Sequence, residues 1–245
     1  MLAAALTTLL PVSGFVPAPR AAPRAAPAWR GGAAVRMAAA GGAAVVDGVR
    51  IGPPPDLPSL LLHNRIVYCG MALAPSVSEL MVAELLYLNF ESNEKPVYMY
   101  INSPGTAGFE TEAFAIIDTM NYIGPEVETI GIGTAFGTAA MLLANGKKGS
   151  RTCLPNSMIM LSQPRSKARG QASDIKIQAR EVLANRLIIN TILSEKTGQP
   201  IEKIVKDSSR TKYMTADQAL QYGIVDKVLR SEDDLPTKPT FLSSL

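Results

Sequence analysis

The chain has 245 residues, 47% of them hydrophobic and only 6% aromatic, which is enough aliphatic material for one substantial core. Its formal net charge is +3, and Arg20, Arg24, Arg30 and Arg36 fall in the N-terminal stretch, so the remainder lacks the cationic excess of a nucleic-acid binder. Cys69 and Cys153 sit in apolar segments without CxxC or Cys/His spacing, which argues against a disulfide framework or a metal site and for two buried thiols in a reducing compartment.

Residues 1–37 are rich in Ala, Pro and Arg, and no acidic residue precedes Asp47. The opening "LAAALTTLLPV" is too short for a membrane span and suits the apolar region of a signal peptide, while the Arg/Ala/Pro stretch after it suits a transit peptide. A disordered Ala/Pro tail is the plainer alternative. Residues 38–52 read as a Gly/Ala linker, 53–235 as the folded domain and 236–245 as a tail. "PPPDLPSLLL", residues 53–62, is expected to enter the domain as a proline-stiffened extended segment. His63 is the only histidine, so any histidine triad or histidine–metal mechanism inside this chain must use it. Its place just before an apolar run favours a satisfied surface or strand-entry residue.

"RIVYCG" reads as a buried strand and "SVSELMVAELLYLNF" as a helix, with a capping box from Ser76 and Glu79 and a stripe of Val77, Leu80, Met81, Glu84, Leu85 and Leu88. "KPVYMYINSPG" is a second strand ending in a turn, "FETEAFAIIDTMNYIG" a helix and "EVETIGIG" a third strand. "TAAMLLANG" is a helix closed by Gly146, and "SRTCLPNSMIMLSQP" gives two short strands broken at Pro155. Alternation of strand and helix predicts a layered α/β domain with largely parallel strands. A long helix follows over 173–197, with Ser173 as N-cap, Asp174 at the positive end of the dipole and Gly198 as stop. Ile175, Ala179, Val182, Leu183, Leu187, Ile188 and Ile192 give it a wide apolar stripe, which would face either a partner or the chain's own core.

The stretch "TIGIGTAFGTAAMLLANG", residues 129–146, runs strand, tight turn and helix in the manner that presents a nucleophile, yet the turn holds no Ser or Cys. Together with "YMYINSPG", "AFAIIDTMNYI", "CLPNSMIM", "QP" followed by "GQASDIKIQAREVL", and "MTADQALQYGIVDKVL", it resembles the proteolytic subunit of the Clp protease over residues 53–230, in order and with about two extra residues after "INSPG". That resemblance implies a ClpP/crotonase-like fold of repeated strand-strand-helix units with a projecting handle helix, and seven-membered rings stacked in pairs into a tetradecamer. Laid residue on residue, the family's serine falls at Gly137, its histidine at Ser162 and its aspartate at Thr211. The oxyanion loop falls at Gly105 and Thr106, where the family has a Gly-Gly pair.

Glycine has no attacking atom, a serine hydroxyl has no pKa near working pH, and a threonine hydroxyl cannot orient a base as a carboxylate does. Thr138 with Lys147 or Lys148, or Asp207 in place of Thr211, does not repair this, since no base is in reach and a lysine base needs desolvation. The resemblance is nearest to the inactive subunits called ClpR in cyanobacteria and plastids, and it covers the "PPPDLPSLLL" entry. It implies a chaperone-docking pocket at Tyr98, Tyr100, Tyr122 and Leu229, which could equally be core aromatics on alternating strand positions. It implies a ring-to-ring contact at Gln171 and Arg210, whose acidic partner is missing at Thr211. The implied function is a non-catalytic subunit of an ATP-dependent serine protease core in plastid protein quality control. Active Clp subunits and a hexameric ATPase chaperone are its implied partners; the chaperone uses the ATP, and the chain itself has no cofactor, nucleic-acid or membrane partner. The leader resembles those of plastid proteins in algae with additional plastid membranes. The alternatives are an active endopeptidase subunit of the same complex and a crotonase-type acyl-CoA enzyme, against which "INSPG" and "CLPNS" speak.

Overall fold

A computed structural model describes residues 44–46, 49–51, 56–107, 109–165, 169–231 and 234. The chain divides into two units, residues 1–54 and 55–245. Strands β1 (Ala44–Val46) and β2 (Val49–Ile51) of the first unit pair antiparallel, inside the span read above as a linker. The leader over 1–37 and the tail over 236–245 lie outside the described residues.

The second unit starts with helix α1 (Leu57–His63), where an extended segment was expected over 53–62, of which 53–55 are outside the described residues. Asp56 is extended at the N-cap, its carbonyl accepts from Leu60 N at 3.1 Å, and Pro58 occupies the first turn, where its missing N–H deprives the helix of nothing. Proline there starts a helix and does not stiffen a strand. His63 is exposed at the end of α1, a surface residue.

Strands β3 (Ile66–Cys69), β4 (Val97–Ser103), β5 (Val127–Phe136), β6 (Arg151–Cys153) and β9 (Lys227–Val228) pair parallel in that order. Strand β7 (Met158–Leu161) pairs parallel with the far end of β5 and antiparallel with β8 (Lys212–Thr215). Helices α2 (Pro75–Glu91), α3 (Thr111–Tyr122) and α4 (Thr138–Asn145) alternate with the strands, and α5 (Ala172–Thr197), α6 (Ile201–Ser208) and α7 (Ala216–Tyr222) complete the unit. This is the α/β domain with a mostly parallel sheet that the alternation predicts.

Alternation along β4 divides the two faces. Val97, Met99 and Ile101 enter the main core with Met81, Leu85 and Leu88 of α2 and Ile116, Ile117 and Met120 of α3, while Tyr98 and Tyr100 face the other way. Helix α4 is buried along its whole length, which the six apolar residues Ala139 to Ala144 permit. The β4–β5 ladder shifts register between Ile101 and Ser103, and Asn102 Oδ1 fills the irregularity by accepting from Thr134 N at 3.1 Å and Thr134 Oγ1 at 3.0 Å. Such a bulge bends β5 and aims its end.

Helix termini correct two expectations. Helix α2 begins at Pro75 with Ala74 as N-cap, so Ser76 and Glu79 form no capping box; proline's fixed φ claims the first helical position one residue earlier. Helix α5 begins at Ala172 with Gln171 as N-cap, which puts Ser173 inside the first turn. Its apolar stripe is split: residues 171–181 are all exposed, Ile177, Leu183 and Leu187 are more than half exposed, and Ile189 and Leu193 are buried, with Ile192 packed on the core. One helix therefore both packs on its own domain's core, against α4 and α6, and carries an exposed apolar first half. Gly198 ends it in the left-handed conformation, φ 72°, as expected.

Candidate functional site

The end of β5 delivers the chain into a turn at Gly137, φ 56° and ψ −112°, from which α4 departs. A side chain at that φ is strained, which is the geometry of a nucleophile elbow; glycine adopts it freely. A Cβ placed there would have Ser162 Oγ as its nearest neighbour, at 3.3 Å. The β5–β7 ladder explains the meeting: Phe136 pairs with Met160, and Gly137 N donates to Met160 O at 2.8 Å. The β7–β8 ladder pairs Leu161 with Lys212, so Ser162 and Thr211 leave the same end of the sheet from adjacent strands. The three positions singled out in the sequence thus gather at one edge.

Their chemistry is neutral. Gly137 has no side chain, Ser162 is half-buried, and Thr211 is exposed with its hydroxyl accepting from Arg165 Nη2 at 3.4 Å. The nearest carboxylate in the chain order, Asp207, is already engaged by Lys212 Nζ at 3.0 Å and by the Tyr222 hydroxyl at 3.0 Å. Burial alone would raise its pKa, but the hydrogen bonds from Lys212 and Tyr222 and the charges of Lys212 and Lys203 outweigh that and hold it below the usual carboxylate range. Lys147 pairs with Glu126, and both are solvated. Cys69 and Cys153 are buried, and burial pushes both thiols up to about 11, so neither is a nucleophile near neutral pH.

Gly105 and Thr106 stand beside the turn. Gly105 takes φ +93°, and a Cβ there would lie 2.6 Å from Phe136 O and 3.2 Å from Thr138 Oγ1, so the loop packs directly on the turn. Its amides are spent inward: Gly105 N donates to Ser103 Oγ at 3.2 Å, Thr106 N to Thr138 Oγ1 at 2.9 Å, and Ala107 N to Leu73 O at 3.0 Å. Thr138 was weighed from the sequence only as a nucleophile; its part in holding Thr106 pairs residues 32 apart and has no local signature.

On the opposite face of β4, Tyr98, Ile130 and Leu229 form a second small cluster with Tyr100, Ile66 and Ile132 against it. A groove of about 470 Å³ opens there between Tyr100, Ile130, Ile132, Leu154 and Leu229. Tyr98 is 4% exposed; burial first, then Glu128 and Tyr100, push its phenol up to about 12 against the lowering effect of Arg65, so it is floor and not lining. Tyr122 is 81% exposed at the end of α3 and does not line this groove. Gln171 caps α5 and Arg210 follows α6; both are exposed, and Arg210 has no ion pair among the described residues. Among those residues no group of His, Cys, Asp or Glu could hold a metal ion, and no helix is long and apolar enough to cross a membrane.

The sequence profile described as Clp protease matches residues 55–232. A protein of Synechococcus elongatus described as ATP-dependent Clp protease proteolytic subunit-like is 52% identical over 207 residues, 77% of this chain and 91% of that protein. The ATP-dependent Clp protease proteolytic subunit 2 of Gloeobacter violaceus is 53% identical over 177 residues, 72% of this chain and 81% of its own. The chloroplastic ATP-dependent Clp protease proteolytic subunit-related protein 4 of Arabidopsis thaliana is 47% identical over 186 residues, 74% of this chain and 61% of its own.

Proposed function

This chain belongs to the Clp protease family, and on that premise we propose that it is a non-catalytic subunit of a plastid Clp protease core. The observation that carries the proposal is the edge at Gly137, Ser162 and Thr211: the fold brings the three positions together, and none supplies a nucleophile, a base or an orienting acid. Such a subunit contributes wall and contacts while active subunits cut the peptide bond. The exposed first half of α5 supports assembly, since Ile177, Leu183 and Leu187 stand in water on the isolated chain. Gln171 and Arg210 are exposed, which supports their use as polar groups in a ring-to-ring contact. The groove at Tyr100, Ile132 and Leu229 supports docking of an apolar loop from an ATPase chaperone, with the exposed Tyr122 available to a neighbouring subunit's groove. A plastid location is supported by the chloroplastic relative and by the Arg/Ala/Pro composition of residues 1–37.

The test is labelling with a serine-directed fluorophosphonate in a complex co-expressed with an active Clp subunit. The active subunit takes the label and this chain takes none; stoichiometric label on any residue of this chain overturns the proposal. Ile177→Asp with Leu183→Asp tests the assembly. The doubly substituted chain keeps its circular dichroism and fails to co-purify with the active subunit, because burying two unpaired carboxylates in the contact costs several kcal/mol. Undiminished co-purification removes α5 from the contact.

A further inference from the structure

An amide beside the neutral edge is already engaged. In acyl-transfer sites a backbone N–H beside the nucleophile turn is kept free to bind the oxygen on which charge develops. Thr106 N–H lies beside the turn at Gly137, and it is occupied by the Thr138 hydroxyl at 2.9 Å. The acceptor is no mobile surface group: Thr138 is 6% exposed and sits at the start of the fully buried α4. The loop lies close against it: a Cβ at Gly105 would meet Phe136 O at 2.6 Å and Thr138 Oγ1 at 3.2 Å, so only glycine fits there. The amides on either side of Thr106 are engaged as well. Gly105 N is held by Ser103 Oγ, which itself donates to Met71 O at 2.7 Å; Leu73 N donates to Gly105 O at 2.9 Å, and Ala107 N to Leu73 O. An acceptor tethered by its own backbone at hydrogen-bonding distance outcompetes one that must diffuse in.

We propose that Thr138 seals this site: its hydroxyl takes the place of a peptide carbonyl on the Thr106 amide, so that the subunit neither cleaves peptide nor holds it at this edge. The inference rests on the non-catalytic reading above and deepens it, because it makes the edge a closed wall of the chamber and not an empty substrate cleft. Thr138 acts through Thr106 and is a positioning residue.

Amide hydrogen exchange by mass spectrometry tests it in the full chain assembled with an active subunit. Thr138→Val, which keeps the shape and removes the acceptor, speeds exchange in the segment carrying Gly105 and Thr106 about tenfold, while Thr138→Ser leaves it at the wild-type rate. Exchange unchanged in Thr138→Val overturns the proposal. A second arm installs Gly137→Ser, Ser162→His and Thr211→Asp and compares fluorophosphonate labelling with and without Thr138→Ala. Removing the hydroxyl raises the labelling rate about 100-fold, the worth of one oxyanion donor. Equal labelling in the two backgrounds, full or nil, overturns the seal. Label on the wild-type chain overturns the non-catalytic reading instead, and the exchange comparison then judges the seal alone.

Discussion

Helix α4 ends in two different kinds of chemistry. At its start, Gly137, Ser162 and Thr211 are neutral, and what binds the loop to the turn is a single hydroxyl, Thr138. Beyond its end, the Arg151 guanidinium donates to Ala144 O at 3.2 Å, to Lys196 O at 2.9 Å and to Asp226 at 2.6 and 2.8 Å. It thereby caps the last turns of α4 and α5 and ties both to the strands β6 and β9. The difference teaches why one end can lose its reactive groups and the other cannot lose its charges. A triad residue sits at a sheet edge and contributes chemistry, so replacing it with a small neutral group leaves nothing buried and unpaired. The arginine is buried with a 3% exposed side chain, and without it Asp226 would lose its opposite charge and the Ala144 and Lys196 carbonyls a donor.

The largest expected effect is therefore at the charged end. Arg151→Met leaves two helix-terminal carbonyls without a donor and the Asp226 carboxylate, still held by the Gly149 amide at 2.7 Å, without its opposite charge, and costs about 3–5 kcal/mol in urea unfolding of the full chain. A cost under about 1 kcal/mol would erase the contrast between the ends. Asp226→Asn costs less, because its side chain is 22% exposed and the amide still reaches the guanidinium region. The pair also sets an acid limit. Burial raises the Asp226 pKa, but the hydrogen bonds from Arg151 and Gly149 and the Arg151 charge outweigh it and hold it below the ordinary value. A depressed folded pKa means the stabilisation is present above the unfolded value, about 3.9, and is lost as pH falls through the folded one. Unfolding midpoints of the wild type fall more steeply below about pH 4 than those of Asp226→Asn; parallel curves would show that another carboxylate governs.

The middle effect is at the turn. Gly137→Ser forces a side chain into φ 56° and costs about 1–3 kcal/mol of stability, and Gly137→Ala costs the same, since the strain is in the backbone and both side chains bring the same Cβ to a tight 3.3 Å from Ser162 Oγ. Neither substitution yields hydrolysis of a fluorogenic peptide, because no base takes the serine proton. Activity from Gly137→Ser alone would mean that a base stands where the structure places none. A serine variant much less stable than the alanine variant would point to a polar clash with Ser162.

Local patterns carried the fold, and register carried the site. Each strand and helix from β3 to α5 announced itself by periodicity, because a core face repeats every two or 3.6 residues. What failed was punctuation. Pro58 and Pro75 each open a helix, whereas "PPPDLP" suggested extension and Ser76 suggested a cap; proline's fixed φ serves both conformations, and only tertiary packing decides. The genuine capping box, Thr215 with Gln218 at the start of α7, carries the local T-x-x-Q spacing that the Ser76–Glu79 pair only imitates. The meeting of Gly137, Ser162 and Thr211 came from resemblance to a family and not from spacing, since β5, β7 and β8 are far apart in the chain. Arg151 and Asp226, 75 residues apart, and Thr106 and Thr138, 32 apart, had no sequence signal at all. Side-chain pairing across elements is set by the fold and leaves no period to read.

The smallest expected effect returns an acid to the neutral end. Thr211 is exposed, and its hydroxyl already accepts from Arg165 Nη2, so Thr211→Asp creates an arginine–carboxylate pair like Arg151–Asp226 in partners but unlike it in surroundings. In water the pair's attraction is largely offset by solvation of each charge and by the entropy of fixing two exposed side chains. The substitution gains about 0.2–1 kcal/mol at low salt, and the gain disappears toward 1 M salt, where the screening length falls to about 3 Å. It brings no hydrolysis, because a carboxylate orients a base and Ser162 is not one. If Thr211→Asp stabilised the chain by as much as Arg151→Met weakens it, burial would not be what separates the two ends of α4. A gain of a few tenths that salt removes would show the same two chemical groups made structural at one end of the helix by the absence of water, and nearly silent at the other by its presence.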